Sequence, residues 1–442
     1  MKQPVEARRS LTLLPLVATT YFMVAGGPYG LEELIAPAGF DLAILVLLVT
    51  PIIWSLPTAL MVGELAGAIP EEGGYYAWVR RALGPFGGFM EAWLSLVASI
   101  FDMAIYPTLF VLYLSRLWPA LSDPVAGSLV GAALIGVCAA WNIGGARAVG
   151  GGAVAMTVVL LAPFAVIVVL APFSTHINVT PTHASHGGIV AGILVAMWNY
   201  MGWDNASTIA GEVDRPQRTY PLAMLLTVTL VALTYVLPVV AVRSTGVDPS
   251  GWTTGAWVNI AEAIGGRALG TAVVLGGVVC AAGMLNALVL SYSRLPMVLA
   301  RDGYLPPVFA RLHPKTGAPW VSILACAVAY TLALRLGFQR LIELDVMLYG
   351  ASLMLEFVAL IVLRVREPQL ARPFRIPGGL PGVVAITIPP AVLIAIALAH
   401  GHEEQAGPIS ALALGVLLML AGPLVYGLMR LARARLTVEP AG

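Results

Sequence analysis

The sequence carries unusually little charge. Only 11% of its 442 residues are Asp, Glu, Lys or Arg. A soluble domain usually carries about a quarter. Hydrophobic residues make up 59% of the chain, and the mean hydropathy is +0.88. So few charges cannot cover a water-facing surface, so we expect the lipid bilayer to surround most of the chain. The net charge of +1 gives no basic field for a nucleic-acid partner.

Cysteine and histidine are also scarce. The three cysteines (Cys138, Cys280 and Cys326) lie in separate apolar stretches and are interpreted as small core residues, so neither a disulfide framework nor a metal site is expected. No histidine falls inside a predicted span, and the motifs His-Glu-x-x-His and Gly-x-Ser-x-Gly are absent. An enzyme working inside a membrane would need such a group, so no enzyme and no cofactor is predicted.

Long apolar stretches dominate instead. Segments of about 20 apolar residues are typical of membrane-spanning helices. We predict twelve of them, at residues 11–37, 42–69, 86–117, 125–141, 151–171, 188–211, 220–242, 269–293, 320–336, 341–363, 383–399 and 409–429. The first is too long for the apolar region of a signal peptide and lacks a cleavage site, so it is interpreted as a span.

The distribution of basic residues predicts the orientation. If the N-terminus lies inside, 19 of the 24 Lys and Arg residues fall on the inner side. The outer loops then hold only Arg116, Arg243, Arg267, Arg335 and Arg340. This asymmetry follows the positive-inside rule. We therefore expect a multi-pass protein of the cell membrane (the inner membrane of a prokaryote), with cytoplasmic termini at residues 1–10 and 431–442.

Two of the predicted spans are interrupted. The first contains three glycines and a proline within residues 25–30, and the sixth contains a polar, glycine-bearing stretch at residues 198–204. Glycine can also serve close helix packing, and proline can make a plain kink. Paired breaks five helices apart, with aromatic and acidic residues beside them, favour the substrate site of an inverted-repeat transporter.

Acidic side chains inside the spans outnumber basic ones. Those singled out as candidates are Glu32, Glu33, Glu64, Asp102, Asp204 and Glu356. A buried carboxylate without a basic partner is costly, so it is protonated or awaits a cation. A polyamine, which has several ammonium groups and no carboxylate, would pair with two of them. Nearby aromatic faces could add cation–π contacts.

We predict the substrate site from these two patterns. Its residues are Ala25, Gly26, Gly27, Tyr29, Glu32, Asp102, Tyr106, Trp198, Asn199, Tyr200, Trp203, Asp204 and Glu356. The candidates for coupling or gating are Glu64, Glu212 and Ser291. A structural role for Glu64 and a boundary ion pair for Glu212 are the alternatives. Pro28 either removes a donor that a substrate carboxylate would need or simply starts the second half of the helix.

Several motifs, in order over nearly the whole chain, resemble the amino acid–polyamine–organocation superfamily. They are Gly63-Glu64-Leu65 with Pro70, Gly73-Gly74-Tyr75 and Trp78; residues 26–32; residues 102–107; Trp198-Asn199 with Trp203-Asp204 and Gly211-Glu212; Glu356-Phe357; and residues 372–377. Within the superfamily they are most similar to the polyamine-uptake branch, near the L-amino acid transporter-like proteins. Arg294 departs from that branch, and residues 300–306 resemble general amino acid permeases, which keeps an amino acid substrate open.

The resemblance implies an all-α membrane protein with a LeuT-type fold of 12 transmembrane helices. A first five-helix repeat would cover residues 11–175, with helix one broken at 26–28. An inverted repeat would cover 186–365, with helix six broken at about 198–202, and two C-terminal helices would lie within 380–430.

The expected function is secondary active transport of polyamines or similar organic cations by alternating access. The unpaired carboxylates favour coupling to a proton gradient, while sodium and exchange stay open. An amino acid permease and a transporter-like nutrient sensor are the alternatives. The expected partners are a small-molecule amine or amino acid and the bilayer, with no obligatory protein partner.

Overall fold

The computed structural model describes residues 12–71, 73–174, 189–400 and 409–438. Over these residues the chain is helical and contains no β-strand. The helices are α1 (Leu13–Val24), α2 (Glu32–Thr50), α3 (Leu56–Ala68), α4 (Tyr75–Leu114), α5 (Pro124–Ile143), α6 (Ala146–Leu170), α7 (Ile189–Asn199), α8 (Pro216–Arg243), α9 (Ala256–Tyr292), α10 (Arg294–Arg301), α11 (Trp320–Ala333), α12 (Phe338–Arg366), α13 (Gly379–His400) and α14 (Ala411–Val438).

Nine helical stretches in the described part of the chain are long and apolar enough to cross a membrane. They are Glu32–Ala68, Tyr75–Leu114, Pro124–Ile143, Ala155–Phe173, Pro216–Arg243, Ala256–Arg301, Arg340–Arg366, Gly379–Ala399 and Ala411–Leu431. The protein is therefore a multi-pass membrane protein. The shorter α1 and α11 are also apolar. The count of twelve spans stays a prediction, because two of the predicted spans are divided into short helices.

The backbone leaves the helical conformation at both sequence interruptions. The first helix ends at Val24 and the next begins at Glu32, which leaves residues 25–31 irregular. Similarly, α7 ends at Asn199, and a 3₁₀ helix begins at Asp204 and runs to Glu212. Unwound backbone at this depth needs polar partners, since lipid offers none. These partners come from neighbouring helices, as described below.

Three long helices contain a sharp bend at glycine. The bends lie at Gly39 in α2, Gly84 in α4 and Gly266 in α9, each with a positive φ. Glycine adopts this conformation without the steric cost that a β-carbon adds. Each bend separates a short helix of about three turns or fewer from the long span next to it.

The centre of the molecule lies between α4, α9 and α12. The longest helix, α4, packs along both α9 and α12, while α6 packs against α9 and α1 against α8. The last two helices, α13 and α14, pack against α12. Because α4 and α12 lie side by side, polar residues on their facing sides meet in the protein interior.

Candidate substrate site

The two helix breaks touch each other at Gly202. Its φ is 90°, and a β-carbon there would stand 2.5 Å from the carbonyl oxygen of Met23. Its N–H donates a hydrogen bond to the Tyr349 hydroxyl at 3.1 Å. Only glycine fits this close approach. The end of α1 and the break after α7 are therefore joined beside α12.

A small cavity lies at this junction. It is lined by Met23 and Val24 of α1, Asp102 and Tyr106 of α4, Trp198, Asn199, Met201, Gly202 and Asn205 around the second break, Met284 and Tyr292 of α9, and Asp345 and Tyr349 of α12. Its volume is about 20 Å³. That is room for little more than one water molecule. The cavity is therefore too small for an organic substrate in this conformation.

Asp102 is held between two donors. Its Oδ1 accepts hydrogen bonds from the Tyr106 hydroxyl at 2.9 Å and from Trp198 Nε1 at 3.3 Å. Asp102 and Tyr106 are one helical turn apart, so they share a face of α4. The Trp198 ring stands at right angles to Phe338, with 6.0 Å between centroids. The carboxyl group therefore sits against an aromatic wall suited to an organic cation.

Two further carboxyl groups complete the acidic side of the cavity. Asp345 lines it from α12, and Asp204 lies behind Tyr349, whose hydroxyl donates a hydrogen bond to it. Asp345 interacts electrostatically with both Asp102 and Asp204. Sequence reasoning missed Asp345, although an acidic residue inside the predicted span 341–363 was a visible signal.

Buried basic side chains are fewer than buried acidic ones. Where the structure describes the chain, the buried acidic side chains are Glu32, Glu64, Glu91, Asp102, Asp204, Glu343, Asp345 and Glu356. Arg372 is the one buried basic side chain in the same part, and no Lys or Arg lines the cavity. Ionised carboxyl groups are costly in a low dielectric, so Asp102 and Asp345 require protons or a cationic ligand in this cavity.

Glu64 requires a correction. The sequence places it among the carboxylates without a basic partner, but it accepts hydrogen bonds from Arg364 Nε and Nη2 at 2.6 and 2.5 Å. Arg372 Nε lies 3.2 Å away, and the Ile376 N–H donates at 2.9 Å. Such a two-pronged pair is geometrically specific. The cluster of Glu64, Arg364 and Arg372 connects α3 to the end of α12 and to the loop after it, away from the cavity.

Glu32 also does not line the cavity. It accepts hydrogen bonds from the Gly30 N–H at 2.8 Å, the Tyr113 hydroxyl at 2.7 Å and the Gly255 N–H at 2.8 Å. A carboxylate at a helix N-terminus satisfies free N–H groups and complements the helix dipole. Glu32 thus closes the start of α2 and links it to α4 and α9.

Residues of the first break pack against α9. A β-carbon on Gly26 would stand 2.6 Å from Cys280 Sγ, which donates to the Gly26 carbonyl at 3.0 Å. Gly27 and Ala25 lie beside it, and the Ala25 N–H donates to the Tyr21 carbonyl. Pro28 precedes the first residue of α2 by four positions, so it is not the start of that helix.

Three predicted aromatic residues serve helix packing. The Tyr29 hydroxyl donates to the Val273 carbonyl at 2.9 Å, and the Tyr200 hydroxyl to the Leu47 carbonyl at 2.9 Å. Trp203 Nε1 donates to the Tyr200 carbonyl at 2.8 Å. None of the three lines the cavity. In contrast, Tyr106 and Trp198 do, as does Asn199.

The coupling and gating candidates differ in position. Ser291 donates to Asn205 Oδ1 at 2.8 Å, which joins α9 to the 3₁₀ helix next to the cavity. The side chain of Glu212 lies outside the described residues.

Arg294, which kept an amino acid substrate open, begins α10 and donates to the Leu290 carbonyl at 2.5 Å rather than lining the cavity. Glu356 is buried away from the cavity lining.

The sequence matches the family described as amino acid permease over residues 17–424. The chain belongs to the amino acid permease family. Both helix breaks and the whole cavity fall within the match, and membership makes the protein a transporter rather than an enzyme.

Similar proteins carry polyamine transport in their names. This permease is 36% identical over 423 residues to the polyamine transporter PUT1 of Oryza sativa subsp. japonica, covering 94% of this chain and 79% of that one. It is 33% identical over 422 residues to the polyamine transporter RMV1 of Arabidopsis thaliana, covering 93% and 84% of the two chains.

Proposed function

We propose that this permease is a secondary transporter of polyamines or similar organic cations across the cell membrane, coupled to protons. The observation that carries the proposal is the acidic cavity, where Asp102 and Asp345 lie on facing helices and Asp204 lies behind Tyr349. A polyamine supplies at least two ammonium groups and brings no carboxylate. It therefore neutralises the cavity without adding an unmatched charge.

The start of α2 gives a second reason to favour an amine over an amino acid. Helix N-termini are ready-made sites for anionic groups. Here the carboxylate of Glu32 already accepts from the Gly30 N–H at 2.8 Å. An amino acid would bring its own carboxylate close to this one and to the acids of the cavity. The polyamine names of the relatives agree with this argument.

We propose a LeuT-type architecture of twelve spans, with repeats at residues 11–175 and 186–365, two further helices within 380–430 and both termini cytoplasmic. Inverted repeats would match α4 to α9, α5 to α11 and α6 to α12. The packing supports this match. The contact of α4 with α12 corresponds to that of α9 with α6, and the contact of α5 with α9 corresponds to that of α11 with α4. Rocking of one repeat against the other would give alternating access.

Protons are the coupling ion that the acidic groups favour. Carboxyl groups that are buried without a counter-charge hold protons until a cation replaces them. Binding of a polyamine is then linked to the release of protons from these carboxyl groups. A sodium requirement is the competing outcome, and it is tested by replacing the cation in the transport buffer.

Uptake by proteoliposomes tests the proposal. Labelled putrescine and spermidine are compared with a neutral and a basic amino acid, with and without an inward proton gradient. We expect gradient-driven polyamine uptake that Asp102→Asn abolishes and that Asp248→Asn, in an exposed turn, preserves. Uptake of amino acids alone, or binding without uptake, would contradict it and indicate an amino acid permease or a sensor.

A further inference from the structure

The helices α4 and α12 each carry a polar stripe along their shared interface. On α4 it consists of Glu91, Ser95, Asp102 and Tyr106, and on α12 of Asp345, Tyr349, Ser352 and Glu356. Spacings of three, four and seven residues place each set on one helix face. All eight side chains are buried. One end of the paired stripes forms the cavity, and the other end carries a second pair of acids.

Glu91 and Glu356 form this second pair. Glu91 Oε1 accepts hydrogen bonds from the hydroxyls of Ser95, at 3.1 Å, and Ser352. Glu356 follows Ser352 by one helical turn, and its carboxyl group interacts electrostatically with that of Glu91. Each of the two lies eleven residues from the cavity aspartate on its helix, which corresponds to about 16 Å along the helix axis.

Most oxygens of this pair lack a hydrogen bond. Glu91 Oε2 and both oxygens of Glu356 are buried without a hydrogen-bond donor in the described part of the chain. Both side chains are 0% exposed. Two interacting carboxyl groups cannot both stay ionised in such a place without a cation. One proton on either group removes a negative charge.

The groups that face Glu91 and Glu356 supply no positive charge. Asp204 of the 3₁₀ helix and Tyr75 at the start of α4 interact electrostatically with both glutamates. Tyr349, on α12 itself, also faces Glu356. These neighbours are acidic or neutral, so none of them compensates a negative charge. Within the described residues no group of three acidic, histidine or cysteine side chains forms a metal site.

We propose that Glu91 and Glu356 form the proton-binding site of this permease, separate from the substrate cavity. The pair takes one proton from solvent when α4 and α12 are apart and keeps it on one of the two carboxyl groups when the helices close. Closure of the loaded permease without that proton would bury two repelling charges, so this closure carries a proton, which is released to the cytoplasm when the helices part on that side. The inference rests on the proposed function, because it assigns the coupling ion of that transport.

Neutral variants separate proton coupling from substrate binding. Glutamine at either position imitates the protonated acid but cannot release a proton. For Glu356→Gln and Glu91→Gln we expect spermidine exchange between the two sides of preloaded liposomes to continue. Accumulation under an inward proton gradient should fall to the level without a gradient, and spermidine-dependent proton entry, followed with a trapped pH dye, should disappear. Glu33→Gln, whose carboxylate bonds to Thr254 near the start of α9, should keep all three activities.

The possible results lead to different conclusions. Proton-driven accumulation that survives in both glutamine variants would overturn the inference. Loss of spermidine binding in a stably folded variant would also overturn it, since the pair would then be a substrate subsite. If the wild type takes up an amino acid instead of a polyamine, the proposed function fails. The same proton measurement with that amino acid then still decides whether the pair carries the proton.

Discussion

A β-carbon on Gly202 would lie 2.5 Å from the carbonyl oxygen of Met23, because the two helix breaks are packed directly together. The same glycine donates its N–H to Tyr349, which in turn donates to Asp204. One backbone contact thus joins the end of α1, the second break and α12. We expect a motion that opens the cavity to separate these groups.

The first prediction concerns this contact. Gly202→Ala should both strain the backbone, whose φ is 90°, and push the breaks apart. We expect a loss of about 1–3 kcal/mol in stability and strongly reduced uptake. Thermal unfolding in detergent and proteoliposome uptake measure the two effects. Gly246→Ala is the control, since its φ is 74° but no atom lies within 4 Å of the added carbon. Equal loss of uptake in both variants would refute a special role for the contact.

The second prediction concerns Asp345, which faces Asp102 across the cavity. Asp345→Asn should remove one of the charges that bind an ammonium group. A hydrogen bond to a charged group contributes about 1.5–3 kcal/mol, or about 10- to 150-fold in affinity. We therefore expect a KM for spermidine raised by about that factor, measured by initial uptake rates. A KM equal to that of the wild type would show that Asp345 does not contact the substrate.

The third prediction distinguishes Glu32 from the cavity acids. Its carboxylate is occupied by Gly30, Tyr113 and Gly255. Glu32→Gln should therefore lower the melting temperature while the KM for spermidine stays unchanged, because glutamine keeps the shape but weakens three charge-assisted bonds. Asp102→Asn, measured beside it, should abolish uptake while the melting temperature stays unchanged. A raised KM for Glu32→Gln would place the residue in substrate binding.

The fourth prediction concerns the ion pair of Glu64 and Arg364, with side chains 0% and 11% exposed. Glu64→Gln leaves Arg364 and Arg372 without their carboxylate. Breaking a buried pair by removing one partner costs about 3–5 kcal/mol, so we expect a markedly lower melting temperature. The control is Glu367→Gln, which breaks the exposed pair with Arg81 and should cost less than about 1 kcal/mol. Equal shifts in the two variants would contradict this account.

Sequence reasoning predicted part of the site because part of its signal is local. Trp198 and Asn199, beside the second break, and Asp102 and Tyr106, one turn apart within α4, all line the cavity. The roles of Tyr200 and Trp203 could not be predicted. Near a break, the sequence does not distinguish aromatic residues that line the cavity from those that pack helices together. The partners that decide this, such as the Leu47 carbonyl, belong to other helices.

The amino-acid sequence by itself determined that this protein lies in a membrane, because its low charge and long apolar stretches allow no other solvent. It also determined where the helices break, since glycine and proline act on their own backbone. The tertiary structure alone decided which acids are neutralised and which are left without a cation. Glu64 contacts Arg364, which lies 300 positions away in the sequence, whereas Asp102 and Asp345 line the same cavity. These pairings depend on how whole helices pack, which no local pattern of residues encodes.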